Sequence, residues 1–422
     1  MRITALSKKQ KCLMKWAFMQ DTRNQFKAIV CDGAVRSGKT VCMTTAFILW
    51  AQRYFDRQNF GICGKTVASA ERNIIMPVQE NDDLRSFFAM TYRKVDHVLI
   101  VKGNGHENRF YIFGGKDESS YALIQGITLA GVLFDEVALM PKSFVDQGIA
   151  RTLSIPESKL WFNCNPESPG HWFYKEWVKH PEEKNALHLH FRMEDNPIMT
   201  PEAIAEAELM YSGVFYDRYI RGLWVAADGR IYDCFDEKKH ITATLPDLAG
   251  SHYVSCDYGT QNATVFLLWQ RECGTECWVC LREYYYSGRD KKRQKTDKEF
   301  CADLGAWLDG VVPRAVVVDP SAASFIAELR QAGYAVQKAD NDVLDGIRLV
   351  STRLKAGELL FSAACQHTIE EFQSYVWDEK AAEHGEDKPV KTNDHCMDAV
   401  RYFVSTILGR EVVQSGRRPR FM

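Results

Sequence analysis

The 422-residue sequence predicts an α/β protein of two domains, and three observations carry that expectation. Apolar runs alternate with helical periodicity through the first half, the pattern of a parallel, doubly wound sheet. In the second half three strand-like runs follow in close order, and helix, strand and helix come after them. That plan is a mixed sheet with an antiparallel meander at its start. Between the halves, SGVFYDRYIRGLWVAADGRIYDCF sets Gly213, Gly222 and Gly229 among aromatic residues, which reads as a connector. The expected division is 1–212, connector 213–245, second domain 246–410 and a basic tail 411–422.

Taken in order, residues 27–31 read as a strand, 39–54 as a helix and 60–63 as a strand, with helical spacing through Val78. Short apolar runs at 98–101, 109–113, 131–134 and 160–164 supply further strands. After the connector come strands at 252–257, 264–269, 277–285 and 315–318.

Composition narrows the class. Apolar residues make up 46% of the chain, and 53 Lys+Arg against 55 Asp+Glu leave a net charge of −2. Disordered, collagenous and disulfide-stapled classes are excluded, and the length suits two or three domains with their own cores. No apolar run approaches the roughly 18–20 residues of a membrane span, and MRITALSKKQKCLMKW lacks an apolar signal core, so a cytoplasmic protein without membrane partners is expected. Thirteen cysteines, scattered through apolar runs, suit free buried thiols. Near-neutral charge argues against a nonspecific DNA coat while permitting local basic patches.

Gly33-Ala34-Val35-Arg36-Ser37-Gly38-Lys39-Thr40 meets G-x-x-x-x-G-K-[ST] at every fixed position, after a strand and at the opening of a helix. In that context the loop amides and helix N-terminus form an anion cradle, Lys39 reaches terminal phosphates of ATP, and the Thr40 hydroxyl suits Mg²⁺. Such a loop requires a carboxylate at the end of a neighbouring buried strand. Gly131-Val132-Leu133-Phe134-Asp135-Glu136 provides Asp135 for the metal side and Glu136 to take a proton from the attacking water. Phe162-Asn163-Cys164-Asn165-Pro166 ends another strand with amides, of which Asn163 or Asn165 can sense the γ-phosphate. Arg36 and Arg151 are the candidate cations for transition-state charge, and the sequence does not choose between them.

A second constellation follows the connector. Asp257 ends one apolar run, Asp319 ends another and is stopped by Pro320, and Asp398 lies on a helical segment with His395 and Asp394 on nearly the same face. Hard oxygen donors of this kind suit Mg²⁺ or Mn²⁺, and two such ions about 4 Å apart clamp the attacking and leaving oxygens of a phosphodiester. Asp394 and Asp398 both fit as the third acid. Arg289 to Lys298 carries six basic residues against two acids, a loop suited to phosphate contacts, and Arg417-Arg418-Pro419-Arg420 is a second basic run. Cys273, Cys277 and Cys280 have C-x₃-C-x₂-C spacing, but no fourth ligand is evident, so buried thiols are preferred to zinc.

In this order GAVRSGKT, GVLFDE, NCNP, RYIRGLWV, GRIY, CDYG, VVVDP and NDHCMDAVRYF make the chain resemble the large terminase subunits of tailed bacteriophages. The resemblance implies a P-loop (RecA/ASCE-like) ATPase domain followed by a ribonuclease H-like nuclease domain. It further implies packaging of double-stranded viral DNA into a procapsid, with the portal protein and small terminase subunit as partners and a ring-shaped homo-oligomer as the working form. By the same resemblance Lys39 and Thr40, in the loop with Gly33, Ser37 and Gly38, and Asp135 hold nucleotide and metal, Glu136 is catalytic, Asn163 to Pro166 form the coupling element that sets Asn165 at the nucleotide, and Asp257, Asp319, His395 and Asp398 form the nuclease site; Arg36 is a candidate nucleotide contact whose role the resemblance leaves open. The alternative is a helicase-like ATPase whose second domain binds nucleic acid without cutting it. An integrase or resolvase is a further reading, weakened by the phosphate loop.

Overall fold

Two separate sheets form in the computed structural model, which describes residues 5–259 and 262–409. They belong to two compact units: Met1–Glu208 with Tyr216–Ala226 and Glu383–Glu386, and Leu209–Phe215 with Ala227–Ala382 and the chain from Asp387 onward. The stretch read as a connector is thus shared between the units, and residues 383–386 return to the first.

The first unit is built from β1 (Ala28–Gly33), β2 (Asn59–Gly64), β3 (Ala89–Arg93), β4 (Val98–Gly103), β5 (His106–Gly114), β6 (Gly131–Asp135), β7 (Lys159–Asn163) and β8 (Ala186–Phe191), in the order β3-β4-β5-β2-β6-β7-β1-β8. The six strands from β5 to β8 run parallel, and β4 and β3 close one edge as an antiparallel meander. Alternate residues feed two cores. Leu133 and Trp161 enter one with Phe47, Trp50 and Phe60, whereas Val132, Phe134 and Phe162 enter the other with Phe144 and Phe173. Burial of both faces is why these strands read as continuous apolar runs. The helix Lys39–Tyr54 spans the residues its periodicity predicts and buries most of its length.

The second unit holds β9 (Ile241–Thr242), β10 (Leu248–Asp257), β11 (Ala263–Glu272), β12 (Trp278–Ser287), β13 (Ala315–Val318), β14 (Val336–Lys338) and β15 (Leu359–Ser362), ordered β14-β13-β10-β11-β12-β15-β9. The antiparallel meander β10-β11-β12 is present, and β13 pairs parallel to β10 with Cys256 opposite Val318. That register brings Asp257 and Asp319, each next in sequence, to the same edge of adjacent strands. One face packs Val254, Cys256 and Phe266 against Leu304 and Phe325. On the opposite face Trp269 stacks on Phe403 at 4.3 Å, so the helix His395–Phe403 lies against the meander.

No helix among the described residues is long and apolar enough to cross a membrane. All thirteen cysteines are free; Cys273 is exposed, while Cys280 lies 3.7 Å from Cys365 in the core. The basic run 417–420 lies outside the described residues.

Candidate active sites

The phosphate loop begins where β1 can no longer carry a side chain. Gly33 has φ +123°, and a Cβ there would stand 1.9 Å from the Phe191 carbonyl oxygen on β8. Gly38 has φ +81°, with the Gln10 amide 2.6 Å from its would-be Cβ. Both conformations favour glycine. Gln10 is a member of the site that sequence reasoning missed: it is buried, completes a capping box with Ser7, and donates to the Ser37 carbonyl at 3.1 Å. The S-x-x-Q spacing marks the helix start but carries no signal of the loop it braces.

Lys39 is buried, with Nζ donating to the carbonyls of Gly33 (3.0 Å) and Ala34 (2.7 Å), to Ser37 Oγ (3.2 Å) and to Asn165 Oδ1 (3.3 Å). Burial lowers its pKa, and the charge of Glu136 opposes that shift. Thr40 and Asp135 meet at 3.2 Å, while Asn163, paired with Asp135 across β6 and β7, donates to Asp135 Oδ1 (2.6 Å) and to Thr40 Oγ1 (2.8 Å). Glu136 follows in a left-handed conformation, φ +58°, and its carboxylate accepts from the Asn165 side chain at 3.1 Å. Burial, reinforced by Asp135, raises the Glu136 pKa; burial also raises that of Asp135, against the bonds from Asn163 and Thr40. A carboxyl held up in this way is a good proton acceptor near neutrality.

Thr40 and Asp135 are hard oxygen donors, and Asn163 Oδ1 is buried with no hydrogen-bond partner among the described residues. This donor set fits a hydrated Mg²⁺ beside a nucleotide. Arg36 is exposed on the loop with φ +56°, its carbonyl held by Asn196 at 2.7 Å. Arg151 lies elsewhere: its carbonyl accepts from Leu129 at the amino-terminal end of β6, opposite to Asp135.

In the second unit Asp257, Asp394, His395 and Asp398 line one cleft of about 570 Å³ with Tyr285 and Arg289. His395 Nδ1 lies 2.9 Å from Asp257 Oδ2. Burial, then the charges of Asp398 and Asp394, push the Asp257 carboxyl up to about 6 against the opposing pull of His395. Burial works against charge on His395, but its bond to Asp257 prevails and raises its pKa. Asp398 accepts from Arg401 at 2.6 Å and from Lys391 at 3.4 Å, and Asp394 pairs with Lys391 at 3.0 Å. Asp319 does not line the cleft; it accepts from Tyr402 (3.0 Å), Asn341 (3.1 Å) and the Ser321 amide (2.7 Å). Burial pushes the Asp319 carboxyl up, and those bonds outweigh it and lower its pKa. Burial raises the pKa of Tyr402, and the charges of Asp257, Asp398 and Asp319 add to the rise against that of Arg401.

Among the described residues no group of three or more His, Cys, Asp or Glu side chains is arranged to hold a metal. Each acid has a partner within the protein, Asp257 in His395, Asp398 in Arg401 and Asp319 in Tyr402. In chemistry the set of carboxylate oxygens fits Mg²⁺ or Mn²⁺. Of the basic loop, Arg289 is exposed at the cleft and Lys291 and Lys292 are exposed, whereas Arg293 pairs with Glu299 and Lys295 with Asp303.

A phosphate loop served by strand-end acids in a largely parallel sheet, and a β12-β11-β10-β13-β14 sheet with an acidic edge, define a P-loop ATPase joined to a ribonuclease H-like domain. The comparisons with known proteins agree. Residues 30–239 match the terminase large subunit, T4likevirus-type, N-terminal family, and residues 277–406 the terminase RNaseH-like domain. The structure of the large terminase from a thermophilic bacteriophage in complex with ADP is 49% identical, covers 96% of this chain and 100% of its own, and superposes with a TM-score of 0.89. Another crystal form of that protein gives 50% identity, the same coverage and 0.91, and its complex with ATP-gamma-S gives 48% and 0.89. No curated protein sequence matches. The chain belongs to the family of bacteriophage large terminase subunits, with an ATPase domain and an RNase H-like nuclease domain.

Proposed function

We propose that this chain packages double-stranded viral DNA into a procapsid with the Lys39–Asp135–Glu136 site and cuts concatemeric DNA with the site around Asp257 and His395. The observation that carries the reading is that each unit gathers its own candidate groups, Lys39, Thr40, Asp135, Glu136 and Asn165 at the phosphate loop of the first, and Asp257, Asp394, His395 and Asp398 around one cleft of the second.

In the motor site the loop amides and Lys39 neutralise phosphate oxygens, and Glu136, kept basic by burial, takes the proton of the attacking water. Thr40 and Asp135 would hold Mg²⁺, which when bound supplies charge neutralisation on the β- and γ-phosphates. Asn165, touching both Lys39 and Glu136, reports the loss of the γ-phosphate to its strand end. In the nuclease site Asp257, Asp319 and Asp398 would hold Mg²⁺ or Mn²⁺, whose Lewis acidity polarises the scissile phosphate. His395 keeps Nδ1 on Asp257, leaving Nε2 as the nitrogen that exchanges a proton with the attacking water. Arg289, Lys291 and Lys292 supply sequence-independent phosphate contacts. The domain boundaries 1–212 and 246–410, a ring-shaped homo-oligomer on the portal protein, a small terminase subunit as partner and action in the host cytoplasm belong to the same proposal and rest on the family.

The test is a crossed pair of variants in the full chain. Glu136→Gln should lower DNA-stimulated ATP hydrolysis by about 100-fold or more while Mn²⁺-dependent plasmid cleavage persists. Asp257→Asn should do the reverse. Survival of both activities in both variants would overturn the assignment.

A further inference from the structure

The helix His395–Phe403 presents both His395 and Asp398 to the nuclease cleft, yet its own cap residue does not cap it. Asp394 turns its carboxylate into the cleft instead, where it pairs with Lys391 at 3.0 Å. The first-turn amides of Cys396 and Met397 still require acceptors, because an unpaired buried N–H is costly. Both donate to a single oxygen, Glu371 Oε2, at 2.7 and 3.1 Å. Glu371 belongs to the neighbouring helix Gln366–Ser374, is only 4% exposed, and does not line the cleft.

That neighbouring helix is capped in the same manner. Glu283 on β12 accepts from the amides of His367 (2.8 Å) and Thr368 (2.9 Å), as well as from the Thr368 hydroxyl (2.8 Å). Glu283 lies opposite Leu267 on β11, which in turn lies opposite Ser255, two residues before Asp257 on β10. Two carboxylates in series therefore tie the His395 helix to the strand ladder that carries Asp257, and the His395–Asp257 contact closes the circuit. A helix in need of stability alone would be served by a serine, threonine or asparagine at its own cap. Reaching across from a second helix with a buried carboxylate costs desolvation, and what it adds is a fixed position for one element relative to the other.

We propose that Glu371 is a positioning residue of the nuclease: by capping the His395–Phe403 helix from outside, it releases Asp394 to the cleft and sets His395 and Asp398 in register with Asp257 for the divalent ions. This rests on the nuclease reading above. Gln, which keeps the accepting oxygen at the same reach, should substitute for Glu371. Asp, one methylene shorter, and Ala should not.

The experiment measures Mn²⁺ binding to the full chain by titration calorimetry without nucleotide, amide exchange at Cys396 and Met397 in metal-free protein, and plasmid cleavage against Mn²⁺ concentration. Glu371→Ala and Glu371→Asp should weaken Mn²⁺ binding by about 10- to 100-fold and expose both amides to exchange, with Glu371→Gln within about threefold of the parent. Unchanged affinity in Glu371→Asp and Glu371→Ala overturns the proposal. If Glu371→Ala does not fold, the comparison of Asp with Gln decides, and equal affinities for those two overturn it. Asp257→Asn separates the two readings. Should it bind Mn²⁺ and cut as the parent does, the nuclease assignment itself fails, independently of Glu371.

Discussion

Asn165 donates its side-chain amide to Glu136 at 3.1 Å, and its carbonyl oxygen accepts from Lys39 at 3.3 Å. One neutral residue at the end of a strand thus touches both the phosphate-reaching cation and the acid that receives a proton. Asn165→Ala should reduce the turnover number of DNA-stimulated ATP hydrolysis by about 10- to 100-fold, since it removes a hydrogen bond from each of two charged groups in the active site. Steady-state phosphate release checks this, and a change confined to KM would contradict it.

Gly33 can be no other residue. With φ +123° and a would-be Cβ 1.9 Å from the Phe191 backbone, Gly33→Ala must displace β8 from β1 or distort the loop. A destabilisation of about 3 kcal/mol or more is expected, from left-handed strain and overpacking together. Thermal unfolding of the variant should show a first-unit transition several degrees lower, about 2–4 °C per kcal/mol for a unit of this size.

Asp32, the residue before the loop, is buried and accepts from His188 (2.8 Å), His190 (3.1 Å) and the Trp224 indole (2.6 Å). Burial pushes its carboxyl up, but the hydrogen bonds and charges of the two histidines outweigh that and hold it well below its ordinary 3.8. The folded state therefore binds this proton less readily than the unfolded chain. The stabilisation is present above about pH 4 and is lost as pH falls toward the depressed value. Asp32→Asn should cost about 2 kcal/mol or more near neutrality and flatten the acid limb, as read by denaturant unfolding at several pH values.

The exposed part of the basic loop should act through phosphates. Arg289→Ala with Lys291→Ala should weaken binding of unrelated duplexes about equally and reduce the slope of log K against log salt by about 0.9 for each phosphate left unneutralised. Arg293→Ala should have a smaller effect, because Arg293 is already paired with Glu299 at 2.6 Å.

Much of the fold was legible because doubly buried strands leave unbroken apolar runs. β6, β7 and β13 are buried along their whole length. β3 alternates exposed and half-buried residues at a sheet edge, and β8 reads ALHLHF with both histidines half-buried, so neither stood out as an apolar run. The glycine and carboxylate patterns of the motor were equally visible, since a phosphate loop demands contiguous residues. Gln10 and Glu371 were not, because each acts on backbone groups far away in the chain and leaves no local spacing.

Local periodicity and contiguous motifs were enough to yield the two-domain α/β plan, the phosphate loop with its strand-end acids, and Asp257, Asp319, His395 and Asp398 as a separate candidate set. They could not tell which acids face the cleft, that Asp319 turns to Tyr402 beside it, or that Lys391 and Arg401 stand against Asp394 and Asp398. Those pairings exist only in the folded chain. Strand register and helix packing choose them, bringing together side chains as far apart in the polymer as His395 and Asp257, which are separated by 138 positions.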